Sequence, residues 1–195
     1  MVLISLLAGK AQTPAEMQKA FQESYTLEAG RQYAEAAEAL MAVALENGYE
    51  VNLRLGWLNY KAGNYTGALE YYQKCIQMRP LSLEARFGYV LPAGELGHWD
   101  QVLAKYKEIL GIDVYNTKAN YYAGLIYYNR ADYAAAEKYF QKVVNLYPFD
   151  YDSLLMLAWT KYFLGKSSEA KALFNKVLLY SPGDESAMEG LGLIK

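Results

Sequence analysis

The chain has one histidine, His98, and one cysteine, Cys75. Nucleophilic catalysis needs a base held beside the nucleophile, and a zinc site needs three or four nitrogen, sulfur or carboxylate ligands. His98 and Cys75 occupy unrelated positions, so neither a Ser-His-Asp nor a Cys-His arrangement assembles, and no zinc set exists. Gly165-Lys166-Ser167 matches the tail of a phosphate-binding loop. That loop needs a preceding strand and a glycine where this chain has Thr160. Gly190-Leu191-Gly192 is too little for a dinucleotide motif. Asp150 and Asp152 could in principle act as paired carboxylates, but at a helix start their charge complements the helix dipole. Asn64-Tyr65-Thr66 fits a glycosylation acceptor, which matters only in a eukaryotic secretory host; the competing role for Asn64 is a helix cap. No catalytic residue, metal ligand or cofactor is therefore assigned, and the chain is expected not to be an enzyme.

Composition narrows the partner class. With 195 residues the chain can bury a continuous core, and its formal charge is -2. Lysines and arginines alternate with acids and leave no basic stripe for phosphate backbones, so nucleic acid is excluded as the expected partner. A single cysteine rules out an intramolecular disulfide, and Cys75 on an apolar helix face is expected to act as a small filler. Tyrosine is the outlier, with 20 copies. Each combines a large apolar ring with a hydroxyl that needs a partner or water.

What positions these residues is a repeat. Gly63 to Pro80 predicts a tight turn and an amphipathic helix, with Ala68, Tyr72 and Cys75 at i, i+4 and i+7 and a proline closing the run. Thirty-four residues on, the pattern returns. Tyr65 recurs as Trp99 and Tyr133; Tyr72 as Tyr106, Phe140 and Phe174; Ala68 as Val102, Ala136 and Ala170; Pro80 as Pro148 and Pro182. A fixed period of this size marks stacked structural units.

Met1 to Ala8 is an apolar run too short to span a bilayer, and no integral membrane segment is expected. Small residues at Gly9 and Ala11 suit cleavage after Ala11, so residues 1–13 are expected to be an export-signal remnant or, alternatively, an apolar lead-in packed on the first helices. Export would place the chain in the periplasm or cell envelope; a cytoplasmic chain is the alternative. Thr13-Pro14-Ala15-Glu16 then predicts a capped helix start. Helices are expected from Pro14 to about Glu28 and from Ala34 to about Glu46, with an extra residue in the Gly30-to-Tyr33 turn and a glycine stop at Asn47-Gly48. Pro92 is expected to kink or end its helix early, at a cost of roughly 3 kcal/mol in a regular helix. Asp132 and Ser167 are expected caps.

Leu55, Gly56, Tyr60, Gly63, Tyr65, Ala68, Tyr72, Cys75 and Pro80 fall where a short helix-turn-helix needs them, and on these residues nearly the whole chain resembles the tetratricopeptide repeat family. The resemblance implies an all-α, right-handed superhelical solenoid of antiparallel helix pairs. Its units are a degenerate repeat at 14–48, repeats at 49–82, 83–116 (irregular at Pro92), 117–150 and 151–184, and a partial repeat or capping helix at 185–195. Gly190 and Gly192 make the last helix a poor cap, which suits a longer array, an end that frays, or pairing with a partner, self-association through that end included.

In this family the first helices of the pairs line the concave side. That implies a peptide-binding groove of Leu53, Trp57 and Tyr60; Phe87 and Leu91; Tyr121, Leu125 and Tyr128; Leu155, Trp159 and Tyr162. The competing role for the tyrosines and the two tryptophans is to seal one unit onto the next. Family members that clamp C-terminal carboxylates use lysine, arginine and asparagine in the groove. Here those places hold Leu53, Trp57 and Gly88, with only Arg54 and Lys118 basic nearby, so an apolar or aromatic peptide, or a helix, fits better. The expected function is a non-catalytic protein-binding scaffold or adaptor. The alternatives are the interaction portion of a longer, enzymatic polypeptide and a self-associating oligomer subunit.

Overall fold

A computed structural model of the chain describes residues 13–42 and 48–194. The expected export segment, the end of the second helix beyond Ala42, the Asn47 stop and Lys195 lie outside the described residues. Those residues fold into eleven α-helices, which fall into two compact units, Met1–His98 and Trp99–Lys195.

The first unit holds α1 (Pro14–Ala29), α2 (Tyr33–Met41), α3 (Tyr49–Lys61), α4 (Tyr65–Met78) and α5 (Leu83–Glu95). The second holds α6 (Trp99–Ile112), α7 (Thr117–Asn129), α8 (Tyr133–Leu146), α9 (Tyr151–Phe163), α10 (Ser167–Tyr180) and α11 (Glu185–Leu193). From α3 onward, first helices and second helices each begin 34 residues apart. Side-chain caps set many of these starts. Thr13 and Glu16 form a reciprocal capping box at α1, and Asn64, Ser82, Asn116, Asp132, Asp150 and Asp184 each accept a backbone N–H of the first turn that has no intrahelical partner. Ser167 does not cap: it is the first residue of α10, after Lys166.

Each helix pair turns through a residue in the left-handed region. Gly63, Gly97 and Gly165 hold that place, and so do Ala131 (φ 56°) and Arg31 (φ 61°). Arg31 precedes the start of α2 by two residues, as Gly63 precedes the start of α4. The first turn therefore contains no extra residue; Gly30, taken as its counterpart, belongs to the preceding position. Pro92 does not end α5 early. The helix runs three residues past it, with the same length as α3, α7 and α9. Proline lacks one N–H and crowds one carbonyl, and here it stands buried in the last turns, where little helix remains to be disrupted.

The core of each unit forms where second helices press aromatic rings between first helices. In the first unit Tyr72, nearly inaccessible, lies against Gly56 of α3 and Gly88 of α5. A Cβ at Gly88 would collide with that ring. In the second unit Phe140 lies against Gly124, and Phe174 occupies the space at Gly190 of α11. Gly190 is thus the seat for a core ring and not a defect of the last helix. Where the position of Gly88 and Gly190 is filled by Tyr122, that ring stacks on Tyr106 at 5.7 Å and 11°.

Candidate functional site

In the first unit Leu53, Trp57 and Tyr60 lie along α3, and Phe87 and Leu91 along α5. Leu53 packs on the cluster of Tyr49, Cys75, Ile76 and Ala85. Leu91 is 39% exposed; the other four are half-buried. The indole of Trp57 is held from outside its own repeat. Its Nε1 donates to Glu28 Oε1 on α1 at 2.6 Å, and Arg54 Nη1 meets the other Glu28 oxygen at 2.5 Å. The Arg54 guanidinium also lies over the Tyr25 ring at 3.9 Å. Arg54 is buried, and its Nε and Nη2 have no hydrogen-bond partner among the described residues, so the pair with Glu28 is its main compensation. Burial alone would raise the Glu28 pKa, but the hydrogen bonds from Trp57 and Arg54 and the positive charges of Arg54 and Lys61 outweigh it and lower the value. Tyr60 extends the surface, 5.8 Å from Trp57 and 6.0 Å from Tyr65.

Phe21, Tyr25 and Glu28 precede the start of α2 by the same intervals as Leu53, Trp57 and Tyr60 precede the start of α4. The first pair therefore contributes to this surface, a role that sequence reasoning missed because it aligned the turn on Gly30. Aligning on Tyr33, the first residue of α2, would have exposed it.

In the second unit Tyr121, Leu125 and Tyr128 lie on α7 and Leu155, Trp159 and Tyr162 on α9, all half-buried. Trp159 Nε1 donates to Ser186 Oγ of α11 at 2.9 Å, and its ring meets Phe174 edge-on at 5.1 Å. Phe163, not singled out by spacing, links the rings. It stacks on Tyr133 at 4.7 Å and contacts Tyr128, Trp159 and Tyr162 within 6.1 Å, while 46% of its own surface stays exposed. Tyr121 instead packs edge-on against Phe140. Also on α9, the buried Lys161 donates to Glu137 at 2.8 Å and Glu169 at 2.5 Å, and Lys166 shares Glu137 at 2.7 Å. Burial would lower the Lys161 pKa, but the two carboxylates more than offset it and raise the value.

The Cys75 thiol is fully buried, and burial raises its pKa to about 12, far from a reactive thiolate. His98 is exposed in the α5–α6 turn. Lys166, the lysine of the loop-like Gly165-Lys166-Ser167, is engaged by Glu137. No group of three or more His, Cys, Asp or Glu among the described residues could hold a metal ion. None of their helices is long and apolar enough to cross a membrane.

Two family models, each described as tetratricopeptide repeat, match residues 21–88 and 129–191. The chain belongs to the tetratricopeptide repeat family. Solved structures repeat the fold at low identity. A tetratricopeptide repeat protein from Parabacteroides merdae ATCC 43184 is 22% identical over 91% of this chain and 71% of its own, with a TM-score of 0.77. MamA from Desulfovibrio magneticus RS-1 is 18% identical over 87% of this chain and 97% of its own, with a TM-score of 0.72. YrrB, described as a tetratricopeptide protein with an unusual peptide-binding site, is 13% identical over 92% and 94%, with a TM-score of 0.73. No curated protein matches the chain. The tetratricopeptide fold accounts for the Ala68, Tyr72 and Cys75 face as scaffold; all three residues are buried between helices.

Proposed function

We propose that the protein is a non-catalytic adaptor that binds a peptide or helix of a partner protein on the aromatic surfaces of its first helices. In the first unit that surface is Leu53, Trp57, Tyr60, Phe87 and Leu91; in the second it is Tyr121, Leu125, Tyr128, Leu155, Trp159 and Tyr162. The observation that carries this reading is the way the two tryptophans are held. Each indole is half-buried and fixed in orientation by its own Nε1 hydrogen bond, to Glu28 or to Ser186. A ring already immobilised before binding loses little rotamer freedom on contact, and aromatic anchors of this kind concentrate binding energy. The hydroxyls of Tyr128 and Tyr162 make no hydrogen bond among the described residues, which leaves donors for a peptide backbone. The similar structure YrrB, described as having an unusual peptide-binding site, lends the same reading support.

The sister repeats supply a suitable test. Leu91 and Leu125 occupy the places of Trp57 and Trp159, so leucine there is compatible with the repeat. Peptides selected from a random display library on the wild-type chain should bind Trp57→Leu/Trp159→Leu about tenfold or more weakly, with an unchanged helical circular-dichroism signal. Equal affinity for the two proteins would overturn the groove assignment and leave the tryptophans a packing role.

A further inference from the structure

A different surface of the second unit is apolar and exposed. Here α6, α8 and α10 end and α7, α9 and α11 begin, and Tyr115, Leu146, Tyr147, Phe149, Leu179 and Tyr180 are all exposed, Leu179 to 76%. They are not scattered. Phe149, in the turn after α8, meets Tyr180 at the end of α10 with ring centroids 5.2 Å apart. Tyr115 and Leu146 hold the same two positions one repeat earlier. The repeat does not require this. In the first unit the equivalent turn after α4 exposes one large apolar side chain, Leu81, and Arg79 lies over the Tyr49 ring at 4.2 Å and pairs with Glu50. Contiguous exposed apolar patches rimmed by polar groups mark interaction sites.

The rim is mainly acidic. Asp113, Asp150, Asp152, Asp184 and Glu185 lie in or beside these turns, with Lys118 among them and Lys142 and Lys176 one helical turn back from Leu146 and Tyr180. Three of the acids are occupied: Asp113 accepts from Asn116, Asp150 from the Ser153 N–H, and Asp184 from the Ala187 N–H and the Tyr151 hydroxyl. Asp152 and Glu185 stand exposed in the first turns of α9 and α11 and make no hydrogen bond or ion pair among the described residues. An aromatic patch edged by free carboxylates repels an anionic lipid surface and attracts a cationic ligand.

We propose that this turn edge is a second docking surface, which takes a basic amphipathic segment of a partner protein. Its apolar side chains cover Tyr147, Phe149 and Tyr180, and its lysines or arginines face Asp152 and Glu185. The surface lies on the turns and not on the first-helix stripe, so it stands or falls independently of the groove.

The test uses the full chain and three probes: a labelled peptide of leucine and lysine in helical spacing, its leucine-glutamate counterpart, and phosphatidylserine-containing vesicles. The leucine-lysine peptide should bind, and the other two should not. Tyr147→Ser/Phe149→Ser should weaken that binding about tenfold. Asp152→Asn/Glu185→Gln should weaken it and flatten its salt dependence, and Trp57→Leu/Trp159→Leu should leave it unchanged. All four turn side chains are exposed or at helix starts, so the melting curves should match wild type. If the serine variant melts early, Leu179→Ser replaces it with the same expected loss. Wild-type affinity in the turn variants, or a preference for the acidic peptide or for vesicles, would overturn the proposal.

Discussion

Trp57 and Trp159 occupy the same position of the repeat, one in each unit, yet the molecule fixes them by opposite means. In the first unit the indole reaches back to α1 and shares a carboxylate with a buried arginine. In the second it reaches forward to α11, donates to a neutral serine and rests among Phe163 and Phe174. One tie depends on charge and the other on ring packing. A buried ion pair is costly to break from one side, because the surviving charge is stranded. A neutral hydrogen bond backed by ring contacts loses only its own modest share. The aromatic surfaces of the two units should therefore fail differently.

The largest difference is expected on removing the acceptor. Glu28→Ala leaves Arg54 buried with neither its ion pair nor any other hydrogen-bond partner among the described residues, and should cost about 3 kcal/mol in urea unfolding. Ser186→Ala should cost about 1 kcal/mol. Similar losses in the two variants would erase the distinction.

Acid should separate the units next. The folded pKa of Glu28 is lowered, so its stabilisation is complete above the ordinary carboxylate value of about 4 and is lost as pH falls through the folded value. A protein carrying Trp57 as its one tryptophan (Trp99→Phe/Trp159→Phe) should show its fluorescence emission shift over that range, before global unfolding. A Trp159-only protein should hold its emission until the fold melts. Glu137, whose pKa is also lowered, ties Lys161 and Lys166 and not the indole. Parallel shifts in both proteins would contradict the assignment.

The smallest effect concerns the turns, where each unit has one non-glycine residue in the left-handed region: Arg31 in the first and Ala131 in the second. That conformation costs an L-residue roughly 1 to 2 kcal/mol, partly offset by the greater unfolded freedom of glycine. Arg31→Gly and Ala131→Gly should each raise stability by about 0.5 to 1 kcal/mol, measured as a higher urea midpoint. A lower midpoint in either would show that the side chain contributes more than its strain removes.

Much of this was legible in the chain. Pro80, Pro148 and Pro182 announce helix ends that fall two residues earlier, and Asn64 and Asp132 announce starts. These are local events, decided by backbone groups within a few residues of the side chain. The register of the first pair was less visible because Arg31 stands where most repeats have glycine, so that Tyr33, the counterpart of Tyr65, was its one local marker. Phe163 was missed for a related reason. It follows the expected stripe by one residue, and its role arises from Tyr128 and Tyr133 meeting it from other helices.

The 34-residue period, the capping side chains and the alternation of first and second helices followed from the sequence alone, because each rests on short-range steric and hydrogen-bonding rules. Only the tertiary structure decided how the aromatic side chains are used. The Glu28–Trp57 tie spans 29 residues, and the seating of Tyr72 at Gly88 and of Phe174 at Gly190 depends on the absence of a Cβ on a neighbouring helix. Contacts of this kind are selected by packing between elements. A glycine that looks like a flaw in its own helix can therefore be the space that a ring from another helix requires.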